Sequence, residues 1–383
     1  MRYELVANIA DIQTGPFGSQ LHKEDYVENG TPIVTVEHLG QRIFTTQNLP
    51  KVSDVDKKRL GKYVLQKGDI VFSRVGSVDR CSYVDKWHDG WMFSGRCLRV
   101  RPCDLVESLF LYYTFCLEQT KQYIRNIAVG ATMPSINTKL LGEVEVPFPP
   151  LDIQQRIAKI LSAIDDKIEL NQKINENLER QAQAIFESWF TGKREINGCL
   201  ADICQYSKGK VAVSSLDLES YYSTENMLPG KAGATQAASL PTTTQTTKCN
   251  VGDVLISNIR PYFKKIVYCH ADCACSTDVL CLVPKRQELS AYLFFLLYAD
   301  SFFNFMVAGS KGTKMPRGDK QQIMMYPVYI PSDEELMTFN RVAQPVITQV
   351  QLNREENKRL IALRDTLLPK FMAGEIDVED VSL

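Results

Sequence analysis

Two long stretches of the chain carry apolar residues at alternating three- and four-residue steps. The first begins at Asp152, after Pro149 and Pro150, and the second begins at Asp333, after Pro331. An acidic residue just after proline is typical of a helix start. Because the spacing continues for about four heptads in each stretch, the sequence predicts two long helices, each with a coiled-coil seam.

The two predicted seams match each other at an offset of about 182 residues, and each contains two asparagines at the same points. The seam residues are Ile164, Ile168, Asn171, Asn175 and Leu178 in the first helix, and Val346, Val350, Asn353, Asn357 and Leu360 in the second. A seam asparagine costs stability unless it meets another polar group, so it fixes register and orientation. A single stripe is also compatible with a helix that packs only on its own domain. Two matching stripes favour helices that pack on each other.

The pairing predicts a rigid spacer. Each helix of about 38 residues would be about 57 Å long. Two repeats related by a two-fold axis across the helices would make the pair antiparallel. Pro345 lacks the amide hydrogen and clashes with the preceding turn, so it predicts a kink or a restart in the second helix.

The remaining sequence predicts two blocks of mixed α/β structure. β-rich runs bounded by Gly, Asn and Asp occur at 32–36, 69–73 and 253–257. An aromatic-rich helix is predicted in each block, near 109–123 and 291–307, and we expect its aromatic side chains to pack in the core of the block.

The whole chain is therefore predicted to be a mixed α/β (α+β) tandem repeat with pseudo-two-fold symmetry. Short motifs recur in order in both halves, such as Met133-Pro134 and Met315-Pro316. Recurrence at a nearly constant offset indicates an internal repeat. The predicted domains are a variable block, a spacer helix, a second variable block, and a second spacer helix with a C-terminal tail, at 1–150, 151–191, 192–332 and 333–383.

Composition narrows the functional classes. The chain has 383 residues, and its 44 Lys and Arg against 45 Asp and Glu give a net charge of −1. This balance excludes a uniformly basic nucleic-acid coat but permits a local basic groove. The first residues lack the apolar core of a secretory signal, and the most apolar stretch, 291–299, is too short for a membrane span. We expect a cytoplasmic protein with reduced cysteines and no membrane association.

Loops that combine glycine, small hydroxyl residues and basic residues recur in both blocks. Glycine permits close backbone approach, and Ser, Thr, Asn and Arg can hydrogen-bond to phosphates and base edges. Each loop alone is compatible with an ordinary solvated loop, but the recurrence favours DNA binding. The candidate DNA-binding residues are Ser19, Gln20, Ser73, Arg74, Ser77, Thr132 and Asn137 in the first block, and Asn258, Arg260, Lys311, Thr313, Lys314 and Arg317 in the second.

No catalytic motif is found. The sequence has neither a Gly-x-x-x-x-Gly-Lys-Ser/Thr nor a Gly-x-Gly-x-x-Gly loop, and no His-Glu-x-x-His helix. Phe148-Pro149-Pro150 lacks the preceding amide or carboxylate of an amino-methylating DNA methyltransferase motif. Cys269-His270-x-x-Cys273-x-Cys275 suggests a zinc site. These residues are crowded around a predicted strand without a second Cys-x-x-Cys pair, so we favour free cysteines and no metal.

Several motifs, in this order, resemble the specificity subunit of a type I restriction–modification system over essentially the whole chain. They are Gly15-Pro16-Phe17-Gly18-Ser19, Gly68-Asp69-Ile70, Gly130-Ala131-Thr132-Met133-Pro134-x-Ile136 and Pro147-x-Pro149-Pro150-Leu151-x-x-Gln154-Gln155-x-Ile157. The repeated helix ends add to the resemblance. The second block departs from the pattern after Met315-Pro316. The first block has Ile136 two residues after its Met-Pro, whereas the second block has Gly318 at that position. The resemblance there indicates equivalent positions but not individual contacts.

The resemblance implies two target recognition domains, each recognising one half of a split double-stranded DNA site. It implies that the antiparallel helices set the gap between the half-sites and dock two modification (methyltransferase) subunits, which bind S-adenosylmethionine and methylate adenine. Restriction subunits would add ATP- and Mg-dependent translocation and cleavage. The specificity subunit itself would have no catalytic residue and no cofactor of its own.

Two alternatives remain open. A protein-interaction scaffold would use the helices without DNA specificity, and the near-neutral charge permits this. A DNA-modifying enzyme in one chain would need a cofactor loop and a catalytic motif, which the sequence lacks.

Overall fold

The computed structural model describes residues 2–18, 20–192, 195–376 and 378. The α-helices are, in chain order, α1 (Val6–Ile9), α2 (Asp54–Arg59), α3 (Ser108–Cys116), α4 (Glu118–Ile127), α5 (Thr138–Gly142), α6 (Leu151–Phe190), α7 (Leu200–Ile203), α8 (Ser290–Tyr298), α9 (Asp300–Ala308), α10 (Lys320–Met324) and α11 (Asp333–Ala373). The chain divides into two compact units. Unit 1 is Met1–Glu169 with Asn357–Leu383, and unit 2 is Leu170–Glu356.

The strands are short. In unit 1 they are β1 (Tyr3–Leu5), β2 (Ala10–Thr14), β3 (Tyr26–Val27), β4 (Thr31–Val34), β5 (Lys51–Val52), β6 (Ile70–Ser73), β7 (Cys81–Tyr83), β8 (Met92–Phe93), β9 (Cys97–Pro102) and β10 (Glu145–Pro147). In unit 2 they are β11 (Gly198–Cys199), β12 (Cys204–Tyr206), β13 (Lys210–Ala212), β14 (Tyr221–Tyr222), β15 (Gln245–Cys249), β16 (Val254–Ser257), β17 (Ile266–Tyr268), β18 (Cys273–Cys275), β19 (Val279–Pro284) and β20 (Pro327–Val328).

The two units match strand for strand in one sheet and differ by one exchange in the other. Unit 1 has an antiparallel sheet of order β2-β9-β6-β7 and a second sheet of order β3-β5-β4-β8, in which β4 and β8 are parallel. Unit 2 has an antiparallel sheet of order β12-β19-β16-β17 and a second sheet of order β13-β15-β18-β14, in which β14 and β18 are parallel. In the second sheet, β5 of unit 1 pairs with β4, whereas β15 of unit 2 pairs with β18, the counterpart of β8. The predicted tandem repeat of mixed α/β blocks is confirmed.

The central strand of each unit separates two cores. In β6, Ile70 and Phe72 lie in one hydrophobic core and Val71 in another. In β16, Val254 and Ile256 share one core, while Leu255 lies in a second. Successive side chains of a strand point to opposite faces, so a continuous apolar run is buried on both sides. The candidate DNA-binding loops begin at the ends of these two strands, where the buried Ser73 and Ser257 lie.

Both predicted long helices are present. α6 starts at Leu151, one residue before the predicted start, and α11 starts at Asp333 as predicted. The prediction that α11 restarts at Pro345 is wrong, since one helix covers 41 residues. Proline removes one backbone hydrogen bond. Ala343 and Ile347 beside it are buried in the core of unit 2, and helix stability in proteins comes mostly from such packing.

In unit 1, the first part of α6 packs against the last part of α11 with the two helices antiparallel. The Arg364 guanidinium donates to Asp165 Oδ1 at 2.8 Å, and Asn357 Nδ2 donates to the Ile168 carbonyl at 3.2 Å. Residue numbers therefore rise along one helix as they fall along the other.

In unit 2, the remaining parts of the two helices are also antiparallel, and the predicted asparagines meet. Asn353 Nδ2 donates to Asn175 Oδ1 at 2.7 Å, and Asn175 Nδ2 donates to the Val350 carbonyl at 3.2 Å. Asn171 Nδ2 donates to Glu356 Oε2 at 2.7 Å.

The predicted seam residues differ in burial. The buried ones are Ile164, Ile168, Asn171, Asn175, Val350, Asn353 and Asn357, and the half-buried ones are Leu178, Val346 and Leu360.

The aromatic-rich segments are helix pairs, which corrects the prediction of one helix in each block. The chain is extended at Leu117, between α3 and α4, and at Ala299, between α8 and α9. Each second helix then begins with an acidic residue, which suits a helix N-terminus. The aromatic side chains pack in the cores as expected, including Phe110 and Phe295.

Among the described residues, no single helix is long and apolar enough to cross a membrane. The pair Gln287–Tyr298 and Asp300–Ala308, bent by 67°, passes the same test by length and composition only.

Candidate nucleic-acid interface

A loop junction follows the central strand β6 of unit 1. We call it junction 1; it comprises residues 73–77 and the loop 129–136. The backbone hydrogen bonds that hold it run from Gly76 to Pro134 (2.8 Å), from Ile136 to Arg74 (3.0 Å), and in both directions between Val129 and Ser135 (2.9 and 2.8 Å). Two loops that lie about 60 residues apart in the sequence therefore form one surface.

Unit 2 builds the same junction after β16. Junction 2 comprises residues 257–260 and the loop 311–318. Its hydrogen bonds run from Arg260 to Pro316 (2.8 Å), from Gly318 to Asn258 (3.2 Å), and in both directions between Lys311 and Arg317 (2.9 Å each). Each bond has its equivalent in junction 1, and the loops 129–136 and 311–318 share the pattern Gly-x-x-Met-Pro, with Gly130 and Gly312 both at positive φ, while their other residues differ. The repeated sequence motifs thus specify a repeated backbone arrangement.

The side chains of the candidate DNA-binding residues Ser73 and Asn258 are buried in this structure. The Ser73 hydroxyl donates to the Val75 carbonyl at 2.8 Å, as the Ser257 hydroxyl does to the Ile259 carbonyl at 3.1 Å. The buried Asn258 donates its backbone N–H to the Asp278 carbonyl at 2.8 Å. Buried hydroxyls that bond to nearby carbonyls stabilise turns, so Ser73 shapes the junction.

The exposed part of junction 1 is a stack of an aromatic and a basic side chain. The Arg74 guanidinium lies 4.9 Å from the centre of the Phe17 ring and donates to the Gly95 carbonyl at 3.3 Å. The Phe17 loop approaches the Gly95 turn closely, since a Cβ on Gly15 would lie 2.1 Å from the Ser94 carbonyl oxygen. Glycine is required there. The predicted contact residue Arg74 is therefore held in one place at the surface.

Two candidates near this stack bond within the protein. Gln20 Oε1 accepts a hydrogen bond from the Tyr63 hydroxyl at 2.7 Å. Asn137 Oδ1 accepts from the Leu140 N–H at 2.9 Å and caps α5. An N-cap side chain satisfies a helix N–H that has no other partner, so Asn137 has a structural role. Ser19 lies outside the described residues.

Ser77 and Thr132 in junction 1 are exposed, as are Thr313 and Lys314 in junction 2. The structure brings each pair onto the surface of its junction. These residues remain predicted DNA contacts.

The basic loop of junction 2 is partly neutralised by acidic side chains. Lys311 Nζ lies 2.6 Å from Asp319 Oδ2, and an Arg317 guanidinium nitrogen lies 3.1 Å from Asp278 Oδ1. The hydrogen bond from Lys311 lowers the pKa of Asp319, and the same bond raises the pKa of Lys311. Lys314 has no salt bridge among the described residues. The sequence showed the three basic residues of this loop, but it did not show that Lys311 and Arg317 are paired with Asp319 and Asp278.

Sequence analysis missed two exposed aromatic side chains next to junction 2. Tyr262 and Phe263 follow Arg260 and Pro261 and are exposed at the surface. Aromatic residues are usually buried, so their type alone predicts a core position. The Pro261 that precedes them was the available signal, because proline at this position is typical of a turn.

The cysteines of the zinc hypothesis lie in a buried cluster. Cys269, Cys273 and Cys275 are buried, and the Cys273 and Cys269 sulfur atoms are 3.5 Å apart. Burial lowers the pKa of His270 to about 4. Among the described residues, no group of three or more His, Cys, Asp or Glu side chains is arranged to hold a metal ion. Nothing in the described residues supports the zinc hypothesis.

The comparisons with known proteins agree on one family. A family model described as the type I restriction modification DNA specificity domain matches residues 6–180 and again 196–360. The MjaIX type I restriction enzyme specificity subunit of Methanocaldococcus jannaschii is 24% identical over 433 aligned positions, covering 98% of this chain and 93% of that subunit. The HindI specificity subunit of Haemophilus influenzae is 34% identical over 133 positions, covering 34% of this chain and 29% of that subunit.

A solved structure shares the fold. The crystal structure of a type I restriction–modification system S subunit from M. genitalium aligns with a TM-score of 0.60 and 18% identity, covering 97% of this chain and 95% of that chain.

Proposed function

The chain belongs to the type I restriction modification DNA specificity family, and from this premise we propose that each of its two units recognises one half of a bipartite DNA site. The chain would act as the sequence-specific DNA-binding subunit of a type I restriction–modification complex. Both family matches include a variable block and the start of the long helix that follows it.

The observation that carries this proposal is the duplicated junction. Junction 1 and junction 2 use equivalent backbone hydrogen bonds to present loops of different sequence. A constant backbone with variable side chains suits recognition of two different base sequences, because each base pair presents its own donors and acceptors in the groove and different side chains hydrogen-bond to them. Exposed polar side chains are present in both, including Ser77 and Thr132 in junction 1 and Thr313 and Lys314 in junction 2, and junction 1 adds the half-buried Arg74.

We assign the chemistry to partner subunits. Modification subunits would bind S-adenosylmethionine and methylate adenine, and restriction subunits would use ATP and Mg. Those cofactors belong to the partners in this proposal, and this chain would supply no catalytic group. Its own residues would bind the DNA and determine which adenines reach the methyltransferase.

The test is co-expression of the chain with its modification subunits, followed by sequencing that maps methylated adenines. We expect a bipartite motif with a gap of constant length. A stable complex that methylates adenines without any sequence motif would contradict the proposal. Binding of S-adenosylmethionine by the purified chain alone would instead support a single-chain enzyme.

A scaffold function is the second candidate, and the ion pairs of junction 2 favour it. Lys311 and Arg317 are paired with Asp319 and Asp278, which reduces the positive charge available to phosphates. Measurement of DNA affinity at several salt concentrations distinguishes the candidates. A DNA-binding subunit loses affinity steeply as salt rises, because phosphate contacts release counterions. A scaffold would show neither specific affinity nor this slope.

A further inference from the structure

A strained turn follows β16 in unit 2. We call residues 260–264 the aromatic turn. Its two ends, Arg260 (φ 51°, ψ 62°) and Lys264 (φ 51°, ψ 49°), have left-handed backbone conformations. Residues with a side chain pay free energy for this conformation, and such strain is often found at functional sites.

The equivalent position in junction 1 has a positive φ without strain. Gly76 (φ 76°) donates to the Pro134 carbonyl, as Arg260 does to the Pro316 carbonyl. Glycine adopts positive φ without the penalty of a side chain. Unit 2 therefore has Arg260 at a position of positive φ, where unit 1 has Gly76, the residue type that this backbone conformation favours. The positions after Gly76 hold Ser77 and a buried Val78, so junction 1 has no aromatic turn.

Backbone hydrogen bonds hold the aromatic turn on both sides. Within the turn they run from Phe263 to Arg260 and from Lys264 to Pro261, each at 2.9 Å, and from the neighbouring loop they run from Gly230 to Phe263 (2.8 Å) and from Lys231 to Lys264 (2.9 Å). The turn therefore presents its side chains from a rigid backbone, which reduces the entropy lost on binding.

The side chains that this backbone presents are aromatic and exposed. Tyr262 is 50% and Phe263 39% exposed, and their ring centres are 4.7 Å apart at 54°. Lys264 and Lys265 follow them, although Lys264 Nζ is paired with Asp300 at 3.0 Å and Lys265 Nζ donates to the Thr224 carbonyl. Exposed aromatic rings beside basic residues are typical of surfaces on which nucleic-acid bases stack.

We propose that Tyr262 stacks on a base at an opened step of the half-site that unit 2 recognises, and that Phe263 supports its ring. This inference rests on the proposed function. Aromatic and apolar side chains that enter a base step unstack it, and flexible steps are opened at the least cost. Unit 2 therefore recognises its half-site partly through DNA deformability. In junction 1 the exposed Phe17 ring is instead stacked by the Arg74 guanidinium, so we expect no wedge of this kind there.

The test uses the complete complex with modification subunits and duplexes of the mapped motif. 2-Aminopurine, whose fluorescence rises when the base is unstacked, is placed in turn at each position of both half-sites. Methyltransferases flip their target base out of the stack, so a rise is expected at each adenine that is methylated. In the wild-type complex we expect one further rise, at a step of the unit 2 half-site. Tyr262→Ala abolishes this rise and weakens binding about tenfold, the order of magnitude of one base–aromatic stack. Tyr262→Phe keeps the ring and retains both properties.

Three results would overturn the inference. The first is a wild-type complex that binds the motif without any rise in the unit 2 half-site other than at the methylated adenine, and this measurement does not depend on the folding of a variant. The second is Tyr262→Ala with wild-type fluorescence and affinity. The third is Tyr262→Phe that behaves like the alanine variant, because stacking requires only the ring. A wild-type complex that binds no bipartite motif would instead contradict the proposed function.

Discussion

Arg74, Lys314 and Arg260 occupy different surroundings in the two junctions, and these surroundings determine what each residue can contribute. Arg74 is stacked on Phe17 and bonded to Gly95, so its guanidinium is oriented before any ligand arrives. Lys314 is exposed in a loop whose other two basic residues are paired. Arg260 keeps a left-handed backbone. A separate prediction follows for each.

Arg74→Ala should relax the sequence requirement at one position of the half-site recognised by unit 1. An oriented guanidinium suits a bidentate contact with a base, and its loss costs about 1–3 kcal/mol at that position. The measurement is the methylation motif of the variant complex, with Arg74→Lys as the control that keeps the charge but loses the planar group. Equal weakening on every DNA sequence would indicate a phosphate contact instead.

Lys314→Ala should weaken binding to all DNA sequences about equally. A flexible, exposed ammonium group suits a phosphate, so the slope of log affinity against log salt should fall by about one. Affinity titrations at several salt concentrations measure this slope. Lys370→Ala makes the same charge change on an exposed position of α11 and should leave the slope unchanged. An unaltered slope in Lys314→Ala would place the DNA elsewhere.

Arg260→Gly should be more stable than Arg260→Ala by about 1 kcal/mol, because both lose the side chain but only glycine relieves the left-handed strain. The free energy of unfolding in urea compares them. Both variants should bind the motif less tightly than wild type. Equal stability of the two variants would show that the backbone at residue 260 is not strained.

At the scale of elements, polar groups in an apolar seam determine the register in which the two long helices pack. In unit 2, Asn175 bonds to both Asn353 and the Val350 carbonyl. Also in unit 2, the half-buried Glu179 is paired with Arg354, whose guanidinium lies 2.8 Å away. Such groups are costly when one partner is removed, and they select one register among those that an apolar stripe alone would permit.

Asn175→Leu or Asn353→Leu alone should lower the free energy of unfolding by about 1–3 kcal/mol, because each leaves a buried amide without its partner. The double variant should lose less than the sum, since both polar groups are then gone. Chemical denaturation of the four proteins completes the double-mutant cycle. Additive losses would mean that the two amides do not depend on each other.

At the scale of the whole molecule, the two long helices run without a break through the points where the units divide, after Glu169 in α6 and after Glu356 in α11. We propose that these helices set the gap between the half-sites. Each unit has its own cores and its own junction, so a change in the helices need not alter the recognition surfaces.

Insertion of seven residues at both points should lengthen the gap in the methylation motif and leave both half-sites unchanged. One heptad adds about 10.5 Å to a helix, and base pairs are spaced by about 3.4 Å, so we expect about one to three added base pairs. The motif is measured by sequencing methylated adenines. An unchanged gap would contradict the spacer role of the helices. A matched control inserts seven residues in one helix only, which breaks the antiparallel register and should destabilise the chain.

The sequence by itself determined the features that depend on local periodicity. The heptad spacing predicted α6 and α11 and their seam asparagines, the offset of about 182 residues predicted two equivalent units, and the ordered motifs indicated the family. These features could be predicted because apolar spacing and turn residues act over a few neighbouring positions.

Only the tertiary structure decided the features that depend on residues distant in the chain. The partner of Arg317 is Asp278, and the burial of Ser73 depends on a strand packed on both faces. The continuity of α11 through Pro345, the extended residue Leu117 between α3 and α4, and the exposure of Tyr262 have the same origin. Burial and ion pairing are set by which segments meet in space, and a one-dimensional pattern does not carry that information.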